Sequence, residues 1–246
     1  MSHKASAFSL IEMAIVLIII GLISGFTLPT LKNVIEAQKT KTTELNQEKI
    51  MYAMASYANQ YKFLPYAADP LNPTGKEDRA SCRRRGIVPY TDLGLPESTA
   101  KDGHHRWFTY VIDIHYAVLP QKTIQTHIAQ TPFSRLCDIG THLNSLRIKG
   151  KQSSIAFALI SHGFEGRGAY PHTINPPPQS VDEEQNSTSD LELIDRSMST
   201  DPQNLFSHKV AWVTARNLLA LYGHTPCPPI LDSTSQQGGT RFEKTQ

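Results

Sequence analysis

Hydrophobic positions along the chain are distributed very unevenly. From Phe8 to Leu28 nearly every residue is apolar, and Glu12 is the only formal charge. A block of that length spans a bilayer core as a helix. Helical spacing continues past Pro29: Leu31, Val34, Ile35 and Gln38 fall on one face, and Ile50, Met54, Tyr57 and Tyr61 recur at helical intervals. The polar stretch between them, EAQKTKTTELNQEK, is built from strong helix formers. The pattern therefore predicts one helix from Phe8 to about Lys62, roughly 80 Å long. Its first half (8–28) is apolar all round and its second half (29–62) is amphipathic.

Beyond Phe63 the pattern changes. Residues 65–86 hold several prolines and read as loop. Their run Arg83-Arg84-Arg85 reads as a solvated surface. Phe108, Tyr110, Ile112 and Ile114 alternate, as one face of a strand does. Further strands are predicted at Ser154–Ser161 and Lys209–Arg216, the latter leading into a short helix, NLLALYG. Glycines in HGFEGRGAY permit tight turning, and His162 reads as a turn residue. Residues 171–204 are polar and read as a loop or insertion, and 230–246 as a flexible tail. The expectation is an α+β fold: a long helix packed on a small antiparallel sheet within a head spanning 63–229.

Composition adds little. Net charge is +2, from 24 Lys+Arg against 22 Asp+Glu, so nucleic acid is not expected as a partner. Ten histidines invite a catalytic or metal reading, but H-E-x-x-H, C-x-x-C and G-x-S-x-G are all absent. The glycine-rich turn lacks the Lys-Ser/Thr ending of a phosphate loop. No enzyme, cofactor or metal site is expected.

One short stretch is more specific. Ala7-Phe8-Ser9-Leu10-Ile11-Glu12-Met13 follows a short leader containing Lys4 and precedes the apolar block. It resembles the cleavage and methylation signal of type IV prepilins and type II secretion pseudopilins. The head carries further likeness. Gly86, Val88, Pro89, Leu93, Gly94, Leu95, Pro96, Asp102, Arg106, Tyr110 and Val111 match a stretch common in pilin-like heads. SHGFEGRGA and WVTARNLL match two more, with Thr214 where serine is usual. One departure is Ala7, where the family usually has glycine.

The resemblance implies a leader of residues 1–7, cut after Ala7 by a prepilin peptidase that also N-methylates Phe8. It implies that Glu12 directs assembly by meeting the new ammonium of a neighbouring subunit. Gly21 and Pro29 stand where the family often places a glycine and a helix-loosening proline. The expected role is a structural subunit, of the minor kind given its length, in a pilus or pseudopilus. Expected partners are other pilins or pseudopilins, an inner-membrane assembly platform and the lipid bilayer. The expected place is the bacterial inner membrane, with the N-terminus cytoplasmic and the head periplasmic. Cys82, Cys137 and Cys227 would then face an oxidising compartment. Three pairings are open, and Cys82 with Cys137, which flank the first strand region, is the one favoured. The alternative role is a membrane-anchored periplasmic binding domain or enzyme that never polymerises.

Overall fold

The computed structural model describes residues 9–61, 63–117, 145–153, 155–188 and 191–221, and for 24–30 it describes the backbone alone. Helix α1 runs from Leu10 to Tyr61, 52 residues, and is continuous through Pro29. Its start is set by Ser9, whose carbonyl accepts from the backbone N–H groups of Glu12 and Met13. A 3₁₀ turn over Glu97–Ala100 follows strand β1 (Arg85–Ile87), and a second over Ile114–Tyr116 follows β2 (Thr109–Ile112). Then come β3 (Arg147–Ile148), β4 (Phe157–Ser161), α2 (Val181–Thr188), β5 (Glu192–Leu193), β6 (Lys209–Val213) and α3 (Ala215–Ala220).

Four strands form one antiparallel sheet in the order β1-β2-β4-β6, and β3 pairs with β5 in a parallel two-stranded ribbon. The fold is therefore α+β with a small antiparallel sheet. Alternation along β2 decides what each face meets. Tyr110 and Ile112 point to α1 and share a core with Ile50, Met54, Ala58, Phe157, Leu159 and Leu218. Val111 points the other way, into a second core with Leu146, Ile148, Ile155, Ala158, Ile160 and Leu193. Both faces of the sheet are thus covered, which is why every residue of β2 and β4 is buried.

The second cover comes from an unexpected source. Segment 171–204, anticipated as a polar loop or insertion, carries α2 and β5, and Leu193 of β5 belongs to the second core. Its polar residues point inward as hydrogen-bonding groups: Asn186 donates to the Ile194 carbonyl at 2.9 Å and accepts from the Ile194 N–H at 2.7 Å. Low hydropathy hid this segment because a paired polar group can be buried at little net cost.

Three other expectations need correction. Arg85 lies in β1 and donates to the carbonyls of Asn186 and Ser187, while Arg83 pairs with Asp78 at 3.0 Å. The arginine run is a tie between elements, not a solvated patch. The first predicted strand stops at Ile112, because the Asp113 carboxylate accepts from the His115 N–H and starts a 3₁₀ turn that takes in Ile114. The last strand stops at Val213 instead of Arg216, because the Thr214 side chain accepts from the Asn217 N–H and caps α3.

Candidate functional site

Helix α1 has two surfaces of different character. Every described side chain from Ser9 to Ile23 is exposed, with Leu10 at 90% and Leu17 at 65%. Water does not tolerate so large a contiguous apolar surface without a partner, and such surfaces mark protein or membrane contact. Among the described residues no helix is long and apolar enough to cross a membrane. The described side chains of this half end at Ile23 and resume at Leu31. Leu31, Val34 and Ile35, expected on one face, are also exposed, so the head does not reach them.

Glu12 lies in the first turn of α1. The spacing Ser9-x-x-Glu12 is that of a capping box, and a carboxylate near a helix N-terminus is favoured by the helix dipole. Gly21 has open space where a side chain would stand. Ala7, Phe8 and Cys137 lie outside the described residues, as does the side chain of Pro29. The Cys82 thiol sits in a turn at φ +47° and donates to the Arg79 carbonyl at 3.6 Å. The pairing of Cys82 with Cys137 therefore falls outside the described residues.

The second surface of α1 carries the head. Its buried stripe is Thr43, Gln47, Ile50, Met54 and Ala58, and it therefore begins two turns before the apolar residues that reveal it. Thr43 Oγ1 accepts from the Gly103 N–H at 3.0 Å, and Asn46 donates to the Lys101 carbonyl at 2.8 Å. Gln47 reaches the carbonyls of Leu159 and Lys209, and Lys209 pairs with Glu44. Gly103 is seated so close that a Cβ there would stand 2.0 Å from the Lys39 carbonyl oxygen. The 4–3 spacing from Ile50 back through Gln47 to Thr43 was the available signal, but polar residues masked it.

Two polar clusters lock the head together. In the first, buried Asp102 accepts from the N–H groups of His104 and Arg106 and, through its other oxygen, from Ser161 Oγ at 2.7 Å. Arg106 crosses to the carbonyls of Gly163 (2.6 Å) and Phe164 (3.1 Å). Gly166, at φ +69°, leaves the room that the Arg106 side chain occupies. Asp102, Arg106 and the glycine-rich turn are thus one interlock.

The second cluster is His162, His208, Thr109, Arg167 and Glu183. His162 opens the glycine-rich turn, its carbonyl accepting from the Gly166 N–H at 3.1 Å, and its side chain is fully buried. Its Nδ1 is 2.9 Å from the Arg167 carbonyl, which can only accept, so Nδ1 carries the proton and Nε2 accepts from Thr109 at 2.8 Å. His208 Nε2 meets the same carbonyl at 3.0 Å, leaving its buried Nδ1 bare and without a hydrogen-bond partner. Burial, reinforced by the charge of His208, holds His162 well below the usual histidine range. Burial also lowers His208, against the pull of Glu183. Glu183, itself fully buried, accepts from the Ser207 N–H (2.9 Å) and hydroxyl (3.0 Å), which ties α2 to the start of β6.

Apart from His208 Nδ1, these acids and histidines are occupied by internal hydrogen bonds. Among the described residues no group of three or more His, Cys, Asp or Glu could hold a metal ion. An open cavity of about 350 Å³ lies where the head leaves the helix, between Lys32, Glu36 and Thr40 of α1 and Phe164, Met198 and Phe206 of the head. Comparison with known proteins finds no matching family, no matching curated protein and no matching solved structure.

Proposed function

We propose that this chain is the precursor of a structural subunit of the type IV pilin-like kind, a minor component of a pilus or a type II secretion pseudopilus. The observation that carries this reading is the division of α1: an exposed apolar stretch from Ser9 to Ile23 with one charge, Glu12, and a second half buried along one stripe by an α+β head. A helix with that division is suited to sit in a bilayer singly and to bundle with copies of itself when it leaves. The sequence around Ala7 and Phe8 supplies the processing step: cleavage after Ala7 by a prepilin peptidase, then methylation of Phe8. Glu12 then meets the Phe8 ammonium of a neighbour, and a buried pair of that kind specifies register more surely than it adds stability. The partners are the peptidase, other pilins or pseudopilins and the inner-membrane assembly platform.

The test is the mass and N-terminal sequence of the membrane-bound protein with and without an active prepilin peptidase. A chain beginning at methylated Phe8 only when the peptidase is active is the expected result. A chain that keeps residues 1–7 in both cases rejects the reading and leaves an anchored, non-polymerising domain. For Glu12, the expected outcome is that Glu12→Ala is still processed but no longer enters fibres, measured by shearing and immunoblotting. Normal entry would remove its assembly role.

A further inference from the structure

The cavity at the base of the head has a lining that suits one kind of molecule. On the α1 side stand Lys32, Glu36 and Thr40, and on the head side Phe164, Met198 and Phe206. Phe164 and Met198 are half exposed, at 50% and 57%, although they form its wall. The polar groups nearby are already committed. Glu36 pairs with Lys39 at 3.0 Å and lies 3.6 Å from His104, Thr43 accepts from Gly103, and Ser161 donates to Asp102. Lys209 is paired with Glu44. Among the described residues no carboxylate lies within ion-pair distance of Lys32; Glu36, one turn along, feels its charge but pairs with Lys39, so the rim keeps a cation held in no ion pair above an apolar wall.

Position along the helix selects the ligand. Lys32 lies four residues beyond Leu28, where the apolar block ends, a rise of about 6 Å. The polar headgroup layer on each side of a bilayer core is about 5–8 Å deep. If the apolar half of α1 is in the membrane, as proposed above, the cavity mouth opens into that layer. Leu31 and Ile35, next in sequence to Lys32 and Glu36 of the lining, are exposed and add apolar surface to α1 at this level.

We propose that the cavity between α1 and the base of the head binds one anionic phospholipid, its phosphate against Lys32 and an acyl chain against Phe164 and Met198. The lipid fills the gap between helix and head while the subunit waits in the membrane. This inference rests on the membrane-anchored reading of α1, and the experiment separates the two.

The full chain is reconstituted in phosphatidylglycerol vesicles containing a trace of phospholipid with a photoactivatable diazirine in one acyl chain. It is irradiated, and the labelled peptides are mapped by mass spectrometry. Label on Phe164 and Met198 as well as on Leu10–Ile23 is expected. Lys32→Gln should lower head labelling about fivefold, the factor of one interfacial lysine on anionic lipid, and leave the α1 label unchanged. Phe164→Asp, at an exposed position, should lower label at Met198 in the same way. Label confined to α1 overturns the lipid site and leaves the anchor intact, whereas an unlabelled α1 overturns the anchor and the site together. Head labelling of equal strength in phosphatidylcholine vesicles, indifferent to Lys32→Gln, overturns the anionic lipid.

Discussion

Gly103→Ala tests how the head is held on its helix. The glycine is not needed for an unusual backbone angle, since its φ lies outside the left-handed region. Its constraint is space alone. A Cβ would stand 2.0 Å from the Lys39 oxygen and 2.6 Å from the Lys39 Cα, atoms of helix backbone that cannot rotate away. Reaching even 3.0 Å, the bound that real Cβ atoms respect, requires the loop and α1 to part by about 1 Å. That movement stretches the Gly103–Thr43 bond and the Asn46–Lys101 bond next to it. Overpacking costs about 1–3 kcal/mol, and each weakened hydrogen bond adds about 0.5–1.5 kcal/mol. Their combined effect is about 3 kcal/mol. At about 2–4 °C per kcal/mol this lowers Tm by roughly 6–12 °C. Thermal and urea unfolding of the full chain in detergent, followed by circular dichroism, would measure it. Gly150→Ala is the control: that glycine has φ +78° with open space around it, so only backbone strain of about 1 kcal/mol is added. A Gly103→Ala protein within about 0.5 kcal/mol of wild type, the range of ordinary surface changes, would refute the seating of the head on Lys39.

Three further outcomes follow from the polar clusters and caps. His162 and His208 are both lowered by burial, so the unfolded chain binds more protons than the folded one once the pH falls below about 6.5. Their contribution to stability is complete above that pH and is lost as the pH falls toward 5. Burial lowers His104 and His172 in the same direction. Urea midpoints between pH 7.5 and 5 should decline steadily, by up to about 1.4 kcal/mol per pH unit for each histidine, and a flat profile would contradict the buried pair. Asp102→Ala removes a buried acceptor of three hydrogen bonds and should cost about 3 kcal/mol by the same assay. Thr214→Ala removes the cap on α3 and should cost about 1 kcal/mol.

The long helix was legible because local rules set it. Strong helix formers, the 3–4 spacing and the one-charge apolar block need no distant partner to be recognised, and α1 begins and ends within two residues of the expected bounds. The strand centres at Tyr110, Leu159 and Ala211 were legible too, because short runs rich in apolar, β-branched and aromatic residues mark strands even where both faces are covered. Tertiary structure alone decided the rest. The stripe from Thr43 to Gln47 looks solvent-facing in sequence and is buried because backbone groups of the head, far along the chain, satisfy it. Residues 171–204 read as a polar loop or insertion in sequence, yet Glu183 meets Ser207, 24 residues on, and Asn186 meets Ile194, pairings that no local pattern reports. His162 gained a buried role only when His208 and Thr109 were brought beside it. Apolar periodicity is a property of neighbours in sequence, whereas satisfying a buried polar group depends on which distant chain segment arrives to meet it.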